Sequence, residues 1–271
     1  IGEVTKGHCS MFGAWGNATL NGETVQLRAL DWEFFYKIGF VGPYRKYPLA
    51  VVYHPSSKKD GNVWMNIGFM GWVGVISGIS AEQMRVLNWS KYPDETFGKE
   101  SRVGNPFTFI LRDVLQFDKT INDTIARFEK AKRTCNLILG VGDGKAGYFR
   151  GFQYGHSVLK VVDDLNPLPK NDTWHPAVPN TVYWGMIGSV SFPLKIRELL
   201  LNNSGTINAQ STVRVILPSL TSGNLQTVIY DLTNQTVHFA YGMVTDDNKK
   251  LNAYDRPYIK LNLKEIFTQP Y

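Results

Sequence analysis

The spacing of apolar residues changes twice along this chain, and that change limits the folds open to it. Apolar and polar residues alternate in short segments before residue 90, as in TVQLRALDW (24–32), and alternation is typical of β-strands. Between residues 106 and 133 apolar residues recur at helical spacing, in PFTFILRDVLQF and TINDTIARFEKAKR. Strand patterns return in CNLILGVGDGKAGYFRGF, LQTVIYDL and TVHFAYG. This order predicts one α+β domain that layers sheets and helices.

Other segments predict single strands and one further helix. LAVVYH (49–54), NVWMNIGF (62–69) and QMRVLNW (83–89) predict strands, and GWVGVISGIS (71–80) is rich in glycine and β-branched residues. Later in the chain PLKIRELLLNN (193–203) predicts a short helix, and STVRVIL (211–217) predicts a strand.

The first two predicted strands, residues 9–15 and 24–32, are expected to form a hairpin. Asn21-Gly22 between them is a strong hairpin signal, because both residues tolerate positive φ. The second strand has two distinct faces, with Val25, Leu27 and Ala29 on one and Gln26 and Arg28 on the other.

Composition favours a globular protein and excludes several function classes. The 271 residues are 43% hydrophobic and 19% charged, which suits a domain with a sizeable core. The net charge of +6 comes from scattered Lys and Arg in runs no longer than a pair, so we expect no nucleic-acid partner. The charge leaves room for loose contact with an anionic membrane surface. No apolar run approaches the length of a membrane span.

The chain offers little for metal or phosphate chemistry. GVGDG (140–144) lacks the spacing of the dinucleotide fingerprint and precedes a strand pattern, so it predicts a hairpin turn. The five histidines show no metal-ligand spacing and no Cys-x-x-Cys pair exists. We therefore expect neither a metal nor another cofactor.

Six Asn-x-Ser/Thr sequons favour passage through a secretory pathway, with glycans on exposed loops. They begin at Asn17, Asn88, Asn122, Asn171, Asn202 and Asn234. The two cysteines permit one disulfide at most, so this is not a disulfide scaffold. A lysosomal or secreted location is expected.

Cys9, at the head of the first predicted strand, has three interpretations. It is a buried structural residue, half of a bridge to Cys135, or a nucleophile. A nucleophile needs a base, and no histidine is obviously paired with Cys9. A cut before Cys9 would supply one, because an α-amine has a pKa of about 7.7–8.0, below the ~8.5 of a thiol. Arg28 and Asp31 on the partner strand would then hold and polarise the new terminus.

The segment from Cys9 to Trp32 resembles the start of the catalytic chain in the cysteine N-terminal-nucleophile (Ntn) hydrolases. It reads C-S-M-F-G-A-W-G-N-A-T-x-N-G, followed after five residues by R-A-L-D-W. That group contains acid ceramidase, N-acylethanolamine acid amidase, penicillin V acylase and bile salt hydrolase. Three later segments resemble the family in the same order: GFMGWVGVISGIS (68–80), NLILGVGDGKAGYFR (136–150) and KNDTWHP (170–176).

The resemblance implies the fold and the domain limits. The fold would be a four-layer αββα sandwich of mostly antiparallel sheets. Residues 9–271 would form a single Ntn-hydrolase domain, and residues 1–8 would be residual propeptide or linker before the cleavage site. The family is inert until the bond between His8 and Cys9 is cut, so a propeptide chain of its own would be a partner.

The resemblance also implies the roles of five residues. Cys9 would attack, Asp31 would hydrogen-bond its α-ammonium, and Arg28 would lower the thiol pKa. Asn88 would face the oxyanion, and Asn171 would position the nucleophile or the amine.

The chain departs from the family pattern at two places that concern the site. A two-residue hairpin register would set Cys9 opposite Phe34 rather than Asp31, so a longer loop or a bulge must absorb the difference. The late family arginine has no clean match, and Arg197 lies near its place but outside its pattern.

The implied function is hydrolysis of N-acyl, lipid-like amides through a thioester. The aromatic stretches WEFFY (32–36) and FMGW (69–72) would cradle the acyl chain. Glycans are expected at Asn17, Asn122, Asn202 and Asn234. A glycan on Asn88 or Asn171 would fill the pocket, so both are expected to be unmodified.

Two alternatives stay open. The short segment GHCS (7–10) also resembles phospholipase B-like lysosomal proteins, which share the fold. A non-catalytic binding protein on the same fold, with Cys9 bridged to Cys135, is the competing class.

Overall fold

The computed structural model describes residues 8–32, 41–82, 84–89, 97–168, 173, 175–185, 191–247 and 249–269. Within these ranges the chain forms two large sheets, and every strand pair in them is antiparallel. The helices lie between and after the strands, so the expected α+β class is confirmed.

The first sheet has six strands in the order β10-β1-β2-β11-β12-β15. Their bounds are β1 His8–Gly16, β2 Gly22–Asp31, β10 Thr181–Trp184, β11 Gln226–Asp231, β12 Thr236–Tyr241 and β15 Ile259–Asn262. The predicted hairpin forms its centre, with Asn21 and Gly22 both at positive φ.

The second sheet has seven strands, which neighbour one another in chain order from β3 to β9. Their bounds are β3 Pro48–Tyr53, β4 Trp64–Phe69, β5 Ser77–Ser80, β6 Met84–Trp89, β7 Leu137–Asp143, β8 Tyr148–Tyr154 and β9 Leu159–Val162. In the glycine-rich segment 71–80 only β5 is a strand, because Gly71 and Gly74 take positive φ and turn the chain before it. A separate pair joins β13 Met243–Val244 to β14 Lys250–Leu251.

The predicted helices of the middle segment are confirmed. The helices are α1 Val41–Lys46, α2 Phe107–Phe117, α3 Ile121–Lys130, α4 Ser191–Asn202, α5 Ala209–Ser211, α6 Leu217–Leu220 and α7 Leu263–Thr268. Pro106 is the N-cap of α2. Thr120 and Asp123 form a capping box that begins α3. None of the helices in the described ranges combines the length and apolar character needed to cross a membrane.

The segment 211–217, predicted as a strand, is helical. A π-helical turn, Thr212–Ile216, joins α5 to α6 without a break. The buried residues of this stretch recur at helical spacing and are Ala209, Thr212, Ile216, Leu217 and Leu220. Asn208 and Ser211 form a capping box at its start. Packing of this helical face overrides the strand propensity of Val213 and Val215, which lie on its more exposed side.

The two sheets pack on each other through β1, β2 and β10 of one and β6, β7 and β8 of the other. A side chain at Gly151 on β8 would collide with the indole of Trp184 on β10, so glycine permits this close approach. Helix α2 packs on β5 and β6, and α4 packs on β10. The hairpin β1–β2 is therefore covered on both faces, and Gln26 and Arg28 are buried together with the apolar residues of β2.

Candidate active site

The β1–β2 hairpin brings together the three residues that the sequence singled out at its start. Cys9 pairs with Leu30, and His8 pairs with Asp31. Gly16 pairs with Gly22, so a five-residue loop, 17–21, joins the strands in place of a two-residue turn, and the register shifts by one more residue between Ala14 and Gly16. The expectation of a bulge or a longer loop is thus confirmed, and Cys9 and Asp31 lie at the same end of the hairpin.

Cys9 and Arg28 lie on the face of the hairpin that packs against the seven-stranded sheet. Side chains of paired residues point to the same face, so Cys9, Leu30 and Arg28 share it. The Nη2 group of Arg28 donates to Sγ of Cys9 over 3.7 Å, a distance acceptable for sulfur. Both side chains are almost completely buried.

Gln226, which sequence reasoning missed, holds Arg28 from the neighbouring strand β11. Its Oε1 accepts from Nη1 of Arg28 (2.8 Å) and from Oγ of Ser77 (3.0 Å). Its Nε2 donates to the carbonyl oxygen of Ile67 (2.9 Å). Ile67 and Ser77 belong to the other sheet, so Gln226 fixes the guanidinium by hydrogen bonds that cross between the sheets.

Asp31 lies on the opposite face of the hairpin, towards α5 and α6. Its Oδ1 accepts from the backbone N–H groups of Gly223 (2.8 Å) and Asn224 (2.9 Å), and its Oδ2 accepts from the hydroxyl of Ser222. The Ser222 hydroxyl also lies 2.7 Å from that of Ser10. Ser222 is a second residue that the sequence analysis missed.

Burial raises the pKa of the Cys9 thiol from 9.0 to about 11 in the chain that runs unbroken through His8 and Cys9. Arg28 lowers this pKa and Asp31 raises it, but burial is the largest effect. The expected lowering of the thiol pKa by Arg28 is therefore present, but burial outweighs it in the uncut chain. In that state Cys9 is protonated at neutral pH.

Aromatic side chains form a cluster directly beyond Asp31. The ring of Trp32 lies 5.5 Å from Trp72 and 5.8 Å from Tyr44, and Tyr44 lies 5.1 Å from Phe69. The backbone N–H of Trp32 donates to Oδ1 of Asn224 (3.1 Å), which ties the cluster to the residues around Asp31. The described part of WEFFY and the FMGW segment thus meet beside the hairpin.

The other predicted site residues lie partly or wholly outside the described structure. The backbone of Asn88 pairs with Leu139 in the seven-stranded sheet, and its side chain lies outside the described structure. Asn171 and residues 33–36 also lie outside the described residues, as does the side chain of His8. Arg197 lies on α4, where its charge acts on Tyr183, and Gln226 is the late residue that contacts Arg28.

The alternative of a Cys9–Cys135 bridge is contradicted. Both cysteines lie within the described residues and are present as buried thiols. Cys9 belongs to the six-stranded sheet, whereas Cys135 lies two residues before β7 of the seven-stranded sheet.

The four asparagines expected to carry glycans are all exposed. Asn17 follows β1, Asn122 lies in α3, Asn202 ends α4, and Asn234 lies in the turn between β11 and β12. The Asn234 side chain donates to Asp231 (2.8 Å) and Glu23 (3.2 Å), so a glycan there would disturb two hydrogen bonds.

Sequence comparison finds relatives but no family model. No protein-family model matches the chain. It is 29% identical over 277 residues to protein dcd1A and 29% identical over 280 residues to protein dcd1B, both of Dictyostelium discoideum. Each match covers 98% of this chain but 62% and 53% of the two relatives, so the chain spans little more than half of their length.

Structural comparison defines the fold. An N-acylethanolamine-hydrolyzing acid amidase ortholog of Caenorhabditis elegans matches with a TM-score of 0.58 and 13% identity, over 93% of this chain and 100% of that one. A conjugated bile acid hydrolase of Clostridium perfringens gives 0.54 and 10%, over 93% and 96%. Penicillin V acylase of Agrobacterium tumefaciens gives 0.51 and 13%, over 88% and 84%. The chain therefore has the Ntn-hydrolase fold of the choloylglycine-hydrolase type.

Proposed function

We propose that this chain is an amidase that hydrolyses linear N-acyl amides, with Cys9 as its nucleophile once the His8–Cys9 bond has been cut. The observation that carries the proposal is the position of Cys9 between two charged groups. Arg28 contacts the thiol on one face of the hairpin, and Asp31 reaches the end of β1 from the other face. The fold is shared with solved amide hydrolases, and this analogy of fold agrees with the reaction class that the residues at Cys9 indicate.

Activation would begin with an N-to-S shift. Sγ of Cys9 attacks the carbonyl carbon of His8 and gives up its proton. The bond from that carbon to the Cys9 nitrogen breaks, and the nitrogen takes up the proton as an amine. Water then hydrolyses the thioester, which leaves a carboxylate on His8 and restores the thiol. Before this step Cys9 has no free α-amine to serve as its base, so the uncut chain would be dormant.

Turnover would use the α-amine of Cys9 as its base. The amine accepts the thiol proton, and the thiolate attacks the substrate carbonyl. The C–N bond breaks, the leaving amine takes the proton, and water hydrolyses the thioester to a carboxylic acid and the thiol. Asp31 would hold the α-ammonium, Arg28 would stabilise the thiolate, and Asn88 and Asn171 would serve the oxyanion and the nucleophile.

The aromatic cluster suggests a lipid-like acyl chain as substrate. Trp32, Tyr44, Phe69 and Trp72 offer an apolar wall that begins next to Asp31. Met70 and Val73, in the same loop as Trp72, expose 62% and 66% of their surface. Such apolar exposure, with the net charge of +6, favours meeting the substrate at an anionic membrane surface.

The proposal extends to the order of the layers, the limits of the domain and the cellular location. The packing of α2 and α4 on opposite sheets supports a four-layer αββα order. Residues 9–271 would be the catalytic domain, and the polypeptide before Cys9 would stay with it after cleavage. A lysosomal or secreted protein with glycans on Asn17, Asn122, Asn202 and Asn234 would suit the sequons and their exposure.

Sequencing of the protein N-terminus tests the proposal. Wild type, Cys9→Ala and the matched variant Cys135→Ala are incubated at acidic pH and then offered a panel of N-acyl amides. We expect a chain that starts at Cys9, and release of acid and amine, from wild type and Cys135→Ala alone. A wild type that never yields this terminus, or a Cys9→Ala variant that keeps amidase activity, would contradict the mechanism.

A further inference from the structure

The turn Thr221–Asn224, between α6 and β11, surrounds the carboxylate of Asp31. Two backbone N–H groups of the turn, from Gly223 and Asn224, donate to Oδ1. The hydroxyl of Ser222 donates to Oδ2. Both oxygens of Asp31 are therefore held by neutral donors from a segment about 190 residues away in the chain.

The shape of this turn is enforced by its surroundings. Thr221 ends α6 in the left-handed region with φ of 54°, and Gly223 has φ of 97°. A Cβ at Gly223 would collide with the side chain of Thr227 and approach Cβ of Ala29 to 3.2 Å, so glycine is required there. The Asn224 side chain accepts from the N–H of Trp32. The turn thus presents its three donors to Asp31 as a fixed set.

Ser222 links Asp31 to the residue that follows the nucleophile. The hydroxyls of Ser222 and Ser10 lie 2.7 Å apart, and both side chains are completely buried. Since Ser222 donates to Asp31, Ser10 is the donor to Ser222, and the chain of bonds runs from Ser10 through Ser222 to the carboxylate. The start of β1 and the Asp31 carboxylate are thereby fixed relative to each other.

We propose that Ser222 is a positioning residue of the reaction, which holds Asp31 where it can bind the α-amine of Cys9 once the His8–Cys9 bond is cut. This inference rests on the proposed function. Ser222 touches Asp31 and Ser10 rather than the reacting atoms, and it acts through the carboxylate. Its loss would leave Oδ2 without this donor and free the carboxylate to turn away from the strand end.

The Ser222 hydroxyl should also affect the protonation of Asp31, which packing alone would not do. All three donors of the turn favour the ionised carboxylate, because each points an N–H or O–H at it. Removal of one donor favours the protonated acid, which cannot hold an ammonium group. The acidic limb of the pH–rate profile should then move to higher pH.

Four proteins test the inference: wild type, Ser222→Ala, Ser10→Ala and the control Ser80→Ala. Ser80 is equally buried, and its hydroxyl accepts from the N–H of Met84 in the other sheet. The measurements are the half-time of cleavage before Cys9, turnover of an N-acyl amide against pH, and thermal stability. We expect Ser222→Ala to slow turnover about 10- to 100-fold, as loss of a hydrogen bond to a charged group implies. Its acidic limb should rise by up to about one pH unit.

The controls separate this role from a structural one. Ser10→Ala keeps the bond from Ser222 to Asp31, so its limb should move less, and Ser80→Ala should keep the wild-type profile. If Ser222→Ala does not accumulate as folded protein, Ser222→Cys takes its place as a weaker donor of similar size. An unchanged profile in the folded variant would overturn the inference while wild type still cleaves and turns over. A wild type that yields no Cys9 terminus would instead overturn the proposed function.

Discussion

The two faces of the β1–β2 hairpin hold their charged groups in different ways. On the face between the sheets, Arg28 is fixed by Gln226, whose other bonds reach across to Ile67 and Ser77. On the outer face, Asp31 is fixed by a turn that follows a helix. One face depends on the packing of two sheets and the other on a local turn, so the thiol and the amine of Cys9 would be tuned by separate parts of the molecule.

Substitutions on the face between the sheets should lower turnover more than substitutions on the outer face. In Arg28→Met the thiolate would lose its cation and Oε1 of Gln226 would lose a charged donor, while side-chain volume is largely kept. We expect turnover to fall about 10²- to 10³-fold, the range typical of a lost charge-stabilising donor. Steady-state kinetics on the fraction already cut before Cys9 measures this effect apart from any effect on cleavage.

Arg28→Lys is the matched control for this prediction. It keeps the charge but not the planar fork that reaches both Gln226 and Cys9, so it should recover part of the lost rate. An Arg28→Met enzyme with wild-type turnover would show that the cation on this face has no role in the chemistry.

Variants of Gln226 test whether the guanidinium of Arg28 must be held by a residue that is itself hydrogen-bonded to the second sheet. Gln226→Leu removes the acceptor of Arg28 and the donor to Ile67, with little change in volume. We expect turnover to fall about 10-fold and the free energy of unfolding to fall by about 1–3 kcal/mol, because buried polar groups lose their partners.

Gln226→Glu should recover more of the turnover than of the stability. It restores an acceptor for Arg28 but brings a buried carboxylate towards the Ile67 carbonyl. Kinetics and chemical denaturation, measured on the same preparations, separate the two effects. Equal turnover in wild type and Gln226→Leu would mean that Gln226 is not needed to orient Arg28.

The sequence predicted the hairpin part of this site but not its supports. Cys9, Arg28 and Asp31 lie within 23 residues, where strand alternation and one turn signal set their relation. Gln226 and Ser222 contact the hairpin from 198 and 191 residues away, and no local pattern records such pairs. The same limit explains segment 211–217, where buried positions of a helix outweighed local strand propensity. For Gln226 the one local signal is a polar residue at the start of the strand segment LQTVIYDL.

Protonation of the Cys9 thiol should have a smaller effect, which is on folding stability and depends on pH. The folded, uncut chain has a Cys9 pKa of about 11, above the value of 9.0 expected for the unfolded chain. The unfolded state therefore releases its thiol proton first, and folding stability falls as pH rises from about 9 to about 11. We expect this loss to reach about 2–3 kcal/mol and to be absent from Cys9→Ala.

Paired unfolding curves of uncut wild type and Cys9→Ala, near pH 8 and near pH 11, measure this difference. Tyrosines that titrate in the same range affect both proteins equally, so they cancel in the comparison. Parallel losses in the two proteins would mean that burial does not hold the thiol in its protonated form.

Asp118 is a buried charged residue away from the hairpin and serves as a reference for the two charges beside Cys9. Its buried carboxylate accepts two bonds from Arg127, at 2.9 and 2.6 Å, and one from Thr124, at 3.1 Å, in the helical part that covers the other sheet. Here a charge is neutralised by an opposite charge on the same helical hairpin. Asp118→Asn should lower the free energy of unfolding by at most about 1–3 kcal/mol. The loss should lie towards the lower end of this range, because Arg127 is partly exposed and solvent screens the pair.

Turnover by the folded fraction of Asp118→Asn should equal that of wild type, which makes it the smallest effect on activity in this series. Denaturation and kinetics on one preparation measure both quantities. Arg28 and Asp31 form hydrogen bonds with neutral amides and hydroxyls, whereas Asp118 is paired with the opposite charge of Arg127. A fall in turnover in Asp118→Asn would show that the helical layer acts on the site, and the contrast between scaffold and site charges would then fail.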